Sequence, residues 1–264
     1  MRKPLITLVK SIALEEVVPR YRQVKHHRKE DGSLCTEADL MTQSSLSLAL
    51  LTLKNCPILG EEMSTEEQQS VWQSTPEYLW CIDPIDGTTN FTHGIDYFAL
   101  SVALLHHGLP ILGVVYNPIT EEVFSAEKGG GAFLNEQKIV NECSFKALDE
   151  AIASVDFKRL PWPLAERLSV SPPYSSQRNF GACALEWCHV AVGKFDVYLH
   201  GGQKLWDYAA GSLILQEAGG IFTTLDHQTF WNITNPWKRS VIAAKNPLLF
   251  DQWRTWLNDF NQPK

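Results

Sequence analysis

Two carboxylates three residues apart, on a stiffened turn at the end of a short apolar run, constrain this chain more than any other feature. Leu79 to Ile82 reads as a strand, and it delivers Asp83-Pro84-Ile85-Asp86-Gly87-Thr88-Thr89-Asn90-Phe91. Pro84 stiffens the turn because its ring fixes φ. So placed, Asp83 and Asp86 can share or bridge hard cations, which take oxygen ligands, and the Ile85 carbonyl between them is a third oxygen. Gly87-Thr88-Thr89 would then open a short helix or nest whose N–H groups receive an anion beside the metal. Asp-Pro and Asp-Gly are also ordinary turn formers, and Asp86 can serve simply as a helix cap. The shorter Asp-Pro-x-Asp-Gly pattern leaves both readings open; the full run is much less easily accidental.

The rest of the chain bounds what such a turn can belong to. The 264 residues are 44% hydrophobic and 20% charged, as expected of a globular protein of one large domain or two closely joined ones. The formal charge is −7 and no basic block is present, which argues against binding nucleic acid through its phosphates. Cysteines stand at 35, 56, 81, 143, 183 and 188 without a Cys-x-x-Cys pair, so they read as free, mostly buried thiols of a reducing cytoplasm. The apolar residues after Arg2 and Lys3 are interrupted at Lys10, and no signal-peptide cleavage site follows. No run approaches the length of a membrane span. A soluble cytoplasmic protein with no membrane partner is expected.

Leu5, Leu8, Val9, Ile12, Ala13 and Val17 recur at helical spacing, predicting an amphipathic opening helix. A second helix starts at Thr36, with Asp39 three residues on, and runs to Leu53. Ile58–Leu59 is a short strand delivering Gly60, Glu61 and Glu62. Residues 98–105 and 110–116 form a hairpin around His106-His107-Gly108, continued by strands at 122–126 and 132–134. The proline-rich stretch 161–173 reads as a linker between an N-terminal α+β half (1–160), carrying most metal ligands, and a C-terminal α/β half (174–264) closing the site. Beyond it come helices at 183–192 and 207–218, the latter stopped by Gly219–Gly220. Strands at 195–199, 221–224 and 241–244 and a last helix from Pro247 to about Leu257 complete the series. Trp231, Trp237, Trp253 and Trp256 read as core or half-buried anchors. Stacked layers of mixed sheet and helix are expected.

The run from Asp83 to Phe91 resembles the signature of the inositol monophosphatase family, part of the lithium-sensitive, Mg-dependent sugar phosphatase superfamily. Three further segments match in order. Asp31-Gly32-Ser33 with Thr36-Glu37-Ala38-Asp39 resembles the family's segment before its second helix. Gly60-Glu61-Glu62 resembles its metal-binding turn. Trp206-Asp207-Tyr208-Ala209-Ala210-Gly211, running on to Glu217-Ala218-Gly219-Gly220, resembles its second signature. The resemblance implies a layered αβαβα sandwich of the inositol monophosphatase/fructose-1,6-bisphosphatase type. It implies two or three Mg²⁺ ions held by Glu61, Asp83, the Ile85 carbonyl, Asp86 and Asp207. Asp39 and Thr88 would orient and deprotonate the attacking water, with Glu62 supporting the catalytic set from behind the ligands. Gly87 and Thr88 would receive the phosphate, with Ile85, Asp86, Cys183, His200 and Asp207 also lining the substrate's place. Family members are often dimers.

Two positions depart from the family pattern. An acidic residue usually stands seven positions before the second-signature Asp, and here it is His200; the small residue of the Gly-x-Ala segment is Cys183. A neutral His offers one acceptor where a carboxylate takes two adjacent hydroxyls. The expected substrate is a small phosphorylated metabolite, resembling inositol 1-phosphate or a related sugar or polyol phosphate. Histidinol phosphate, fructose 1,6-bisphosphate and nucleotides (3′,5′-bisphosphates or NADP) are alternatives. His200 with Lys204 would favour a second anionic group. A regulatory binding protein on the same fold is the reading from another class.

Overall fold

The computed structural model describes residues 1–23, 26–29, 32, 34–140, 147–226, 228–231 and 235–260. Asp31, Ser33 and Cys143 therefore lie outside the described residues. The helices are α1 (Arg2–Ile12), α2 (Glu37–Leu53), α3 (Thr65–Gln73), α4 (Thr88–His93), α5 (Trp162–Val170), α6 (Cys183–Ala191), α7 (Leu205–Glu217) and α8 (Pro247–Phe260). Leu5, Val9 and Ile12, one turn apart on α1, are buried. Thr36 caps α2 in a reciprocal box with Asp39, satisfying backbone N–H groups that a helix start leaves open.

A seven-stranded sheet runs in the order β3 (Ile58–Gly60), β4 (Tyr78–Asp86), β5 (Ala99–His106), β6 (Leu109–Asn117), β7 (Glu122–Glu127), β8 (Gly131–Leu134), β9 (Gln137–Lys138). It follows β1 (His26–Arg28) and β2 (Leu34–Thr36), a separate antiparallel pair. A five-stranded sheet is built from β10 (Ile152–Asp156), β11 (Ser176–Arg178), β12 (Val197–Gln203), β13 (Ile221–Thr223) and β14 (Arg239–Ala244), in the order β11-β10-β12-β14-β13.

Side-chain alternation assigns the layers. On β4, Trp80 and Ile82 join α1 and α2 in one core, while Leu79 and Cys81 face α6 and α7 in a second. On β12, Tyr198 belongs to that second core, whereas Val197 and Leu199 meet α5 and α8 in a third. The order is helix pair, seven-stranded sheet, helix pair, five-stranded sheet, helix pair. This is the αβαβα sandwich.

The second sheet begins at Ile152, ahead of the proline-rich stretch, and that stretch contains α5 rather than an open linker. Pro161 and Pro163 sit where a first helical turn tolerates proline, and Leu164 and Leu168 bury α5 in the third core. Helix α3 has no apolar face for the sequence to show: among its described side chains only Gln68 is buried. Trp253 is fully buried with Trp256 stacked on it, and Trp231 and Trp237 pack against the middle core.

Candidate active site

The acidic residues reach one cavity of about 690 Å³ from several elements, two of them from the same strand. Strand β4 ends there, and its pairing with β5 gains one residue between Asp83, opposite Ser101, and Asp86, opposite Ala99, so Asp86 is moved off the regular alternation. Ser101, across from Asp83, donates to the Trp206 carbonyl (3.2 Å) and so ties β5 to the first turn of α7, where Asp207 sits. Asp207 is held in turn by the Lys204 N–H at 2.9 Å. Glu61 follows β3; the Gln68 amide of α3 donates to the carbonyls of Gly60 (2.9 Å) and Glu61 (3.1 Å), fixing that turn. Asp86 accepts the Ala184 N–H from the first turn of α6 at 2.6 Å.

Behind these acids, Asp39 accepts the Thr36 N–H (2.7 Å) and hydroxyl (2.5 Å) on one oxygen. The Thr88 hydroxyl lies 3.2 Å from its other oxygen and 3.1 Å from the Ile85 carbonyl. Gly87 has φ 92°, and a Cβ there would press on Ala182 at 3.1 Å and on the Tyr97 carbonyl at 3.2 Å; only glycine fits. Asp39, Thr88, Cys183 and Asp207 all belong to first turns of helices, whose positive ends offset part of the acidic charge.

Burial raises the pKa values of Asp39, Glu61, Asp83, Asp86 and Asp207. Asp39 and Asp207 are pushed up to about 7, and Asp83 and Asp86 well above the usual range, with the charges of neighbouring acids adding to desolvation. Glu61 is also raised by burial, although Lys29 opposes the shift. Lys29 is a cation that sequence reasoning missed. Its Nζ sits 2.8 Å from Glu61 and 2.7 Å from Glu62, and the two carboxylates outweigh the lowering effect of burial on its own pKa. Glu62 is thus engaged by Lys29 and by the Gln43 side chain, which accepts its N–H at 2.8 Å. No three of the described pocket acids bring oxygens within 4.8 Å of one another.

His200 lines the same cavity but is committed elsewhere. Its Nδ1 accepts the Gly202 N–H (3.1 Å), which leaves the proton on Nε2, 3.1 Å from Asp156. Burial lowers its pKa, so the ring is the neutral Nε2–H form. Asp156 also accepts from Arg159 at 2.6 Å and stays ionised, held below its ordinary range by His200 and Arg159 against the effect of burial. A Cβ at Gly201 would overlap the Arg159 carbonyl, so glycine lets that loop lie against β12. Cys183 Sγ is 3.7 Å from His200 Nε2, and burial pushes its thiol up, leaving it an inert thiol wall. Lys204 lines a neighbouring cavity instead; Arg28, Lys158 and Arg159 bring the positive charge here. Glu186 completes the wall, accepting from the N–H groups of Phe180 (3.1 Å) and Gly181 (3.3 Å), with burial pushing it up to about 7. Asp156 and Glu186 carried no motif. Their only signals were an acid ending an apolar strand and an acid inside an apolar helix.

Known proteins resemble the chain along most of its length. The chain is 40% identical over 205 residues to an inositol-1-monophosphatase of Caulobacter vibrioides, covering 75% of this chain and 78% of that protein. It is 36% identical over 198 residues to a putative Nus factor SuhB of Neisseria meningitidis serogroup B, covering 72% and 73%. The crystal structure of the extragenic suppressor protein suhB from Bartonella henselae superposes with a TM-score of 0.82 at 27% identity, over 97% of each chain. The model of the inositol monophosphatase family matches residues 1–256, and the chain belongs to that family.

Proposed function

We propose that this phosphatase hydrolyses a phosphate monoester of a small sugar or polyol, with two or three Mg²⁺ ions held by Glu61, Asp83, the Ile85 carbonyl, Asp86 and Asp207. The observation that supports it most is the burial of these acids around one cavity with Lys29 as the cation between Glu61 and Glu62. An all-oxygen donor set fits Mg²⁺, and buried carboxylates carrying raised pKa values fit a site completed by cations. When bound, Mg²⁺ lowers the pKa of water and neutralises charge on the attacking and leaving oxygens.

The chain's own groups do the rest. The Thr88 hydroxyl directs its proton toward Asp39 or the Ile85 carbonyl, leaving lone pairs to accept a proton from the attacking water. Thr36 locks the far oxygen of Asp39, so the near one stays aimed at Thr88. Gly87 and Thr88, opening α4, receive the phosphate. Where the family pattern has a carboxylate for hydroxyls, neutral His200 is tied to Asp156, and Arg159 and Lys158 stand beside it. A substrate with a second anionic group suits this wall better than an uncharged inositol ring.

Phosphate release tests both levels of the reading. The panel is inositol 1-phosphate, histidinol phosphate, fructose 1,6-bisphosphate, adenosine 3′,5′-bisphosphate and NADP, with Mg²⁺ or EDTA. Metal-dependent turnover absent from Asp86→Asn is expected, with bisphosphates ranked above inositol 1-phosphate and that order reversed or flattened in Arg159→Gln. No turnover of any panel member by a folded, Mg²⁺-binding protein would count against the phosphatase reading for these substrates. The name of the Neisseria relative supports a second role as a Nus factor. The complete carboxylate set argues that such a role would accompany catalysis, and Asp86→Asn protein that still co-purifies with the transcription apparatus would separate the two.

A further inference from the structure

Glu77, His106 and His107 lie outside the acid pocket and are the one such group among the described residues whose ligand atoms all fall within 4.8 Å of one another. Glu77 immediately precedes β4, His106 ends β5 and His107 begins the turn to β6, so the cluster sits at the opposite end of β4 from Asp83. Six residues of strand separate the two, roughly 20 Å. We propose that this cluster is a second metal site, specific for a borderline first-row divalent ion such as Zn²⁺ rather than for Mg²⁺.

Donor chemistry sets the class of ion. Two imidazole nitrogens and one carboxylate oxygen suit Zn²⁺, Ni²⁺ or Co²⁺, whereas Mg²⁺ wants oxygens alone. His106 Nε2 and Glu77 Oε1 are 3.6 Å apart, close to the roughly 3.3 Å that two ligands of a tetrahedral Zn²⁺ require. The exposed Glu77 and His107 side chains can close the remaining gaps by small rotations. The backbone already gathers them: the His107 N–H donates to the Glu77 carbonyl at 2.8 Å, and cross-strand pairing sets Tyr78 opposite His106. The Tyr78 ring stacks on His106 at 4.6 Å and limits its orientations. His107 and Gly108 have φ of 49° and 77°, the turn that a two-residue hairpin prefers, and His tolerates the left-handed region better than most residues. Turn formation accounts for Gly108 but does not require two histidines and a glutamate to converge. Lys54, with Nζ 3.5 Å from the Tyr78 ring centroid, is the cation on this side and opposes binding, so moderate affinity is expected.

Isothermal titration with Zn²⁺ in excess Mg²⁺, which occupies the acid pocket, tests the site on the full chain. His106→Asn/His107→Asn keeps the hairpin, since Asn-Gly favours the same turn. This variant is expected to bind one Zn²⁺ fewer than the wild type, and Glu77→Gln to bind at least tenfold more weakly. Zn²⁺ should raise the Tm of the wild type and leave that of the histidine variant unmoved, with Mg²⁺-dependent phosphate release equal in both. His26→Asn/His27→Asn controls for the other adjacent histidine pair of the sequence. Unchanged Zn²⁺ binding in the first variant, no weakening in Glu77→Gln, or loss only in the His26/His27 variant would each overturn the proposal. None of these outcomes bears on the acid pocket.

Discussion

Thr88 and Asp39, 49 residues apart in the chain, meet at 3.2 Å and join the first turn of α4 to the first turn of α2. The contact is buried, and each partner has an alternative or second contact beside it: the Thr88 hydroxyl also lies within reach of the Ile85 carbonyl, and the other oxygen of Asp39 accepts from Thr36.

Proton transfer through this pair gives the first prediction. Thr88→Val and Asp39→Asn should each lower kcat by about 10²–10⁴-fold, the usual contribution of a positioned acid or base, with KM changed only a few-fold. Thermal unfolding should show Asp39→Asn at least as stable as the parent, because burial already disfavours the charge it removes. A kcat loss under tenfold in both variants would take the pair out of the reaction.

Holding Mg²⁺ among the crowded acids, as proposed, would make the fold responsive to metal. Stripping with EDTA should lower Tm, and Mg²⁺ should restore it by mass action, worth about 2.7 kcal/mol at 100 times Kd. Asp207→Asn is expected to raise the Tm of the metal-free protein and to blunt its response to Mg²⁺. Differential scanning calorimetry with and without Mg²⁺ reads both effects, and a Tm indifferent to Mg²⁺ would contradict the assignment of the ligands.

His200 predicts a pH dependence. Its folded pKa lies below the ordinary 6.5, so between the two values the unfolded chain binds more protons than the folded one. Its share of stability is therefore complete above about 6.5 and is lost as pH falls toward the folded value. Ionised Asp156 faces the ring, Arg159 holds Asp156, and Gly202 donates to Nδ1, so protonation would break the Gly202 contact. Urea titrations from pH 7.5 down to 5 should show a shallower decline in His200→Gln than in the parent; parallel curves would reject the neutral-ring arrangement.

Glu217, in the second signature, has a structural task. Its carboxylate accepts the Gly129 and Gly131 N–H groups at 2.8 and 2.9 Å, clamping the β7–β8 turn onto the end of α7. Glu217→Ala should cost about 1–3 kcal/mol by chemical denaturation, and Glu217→Gln, which keeps an acceptor, appreciably less. Substrate ranking should not change in either variant.

The sequence made the acids on regular elements legible. Asp83 and Asp86 end an apolar run, Asp39 closes a capping box, and Asp207 opens a helix of apolar and small residues. Residues brought by packing were not legible. Asp156 and Arg159 stand where β10 ends, and Lys29 lies in a polar stretch between two very short strands. The expectation that Lys204 joins His200 failed because Lys204 occupies the position before α7, where its backbone holds Asp207 and its side chain lines the neighbouring cavity. Helix α3 and the strand at Ile152 were missed for a related reason: one is nearly all polar, the other only five residues long.

Helices α6 and α7 cover the inner faces of both sheets, and they are made late. During synthesis the seven-stranded sheet is complete by Lys138, yet Ala99, Ala103, Val115 and Phe124 lack their full cover until α7 has followed α6 and residue 217 has left the ribosome. At roughly 5–20 residues per second, about 79 residues of further synthesis leave that apolar face bare for several seconds. Chaperone dependence of the nascent chain should therefore end abruptly once α7 has emerged, and a stop codon before it should yield an insoluble fragment rather than a stable N-terminal half.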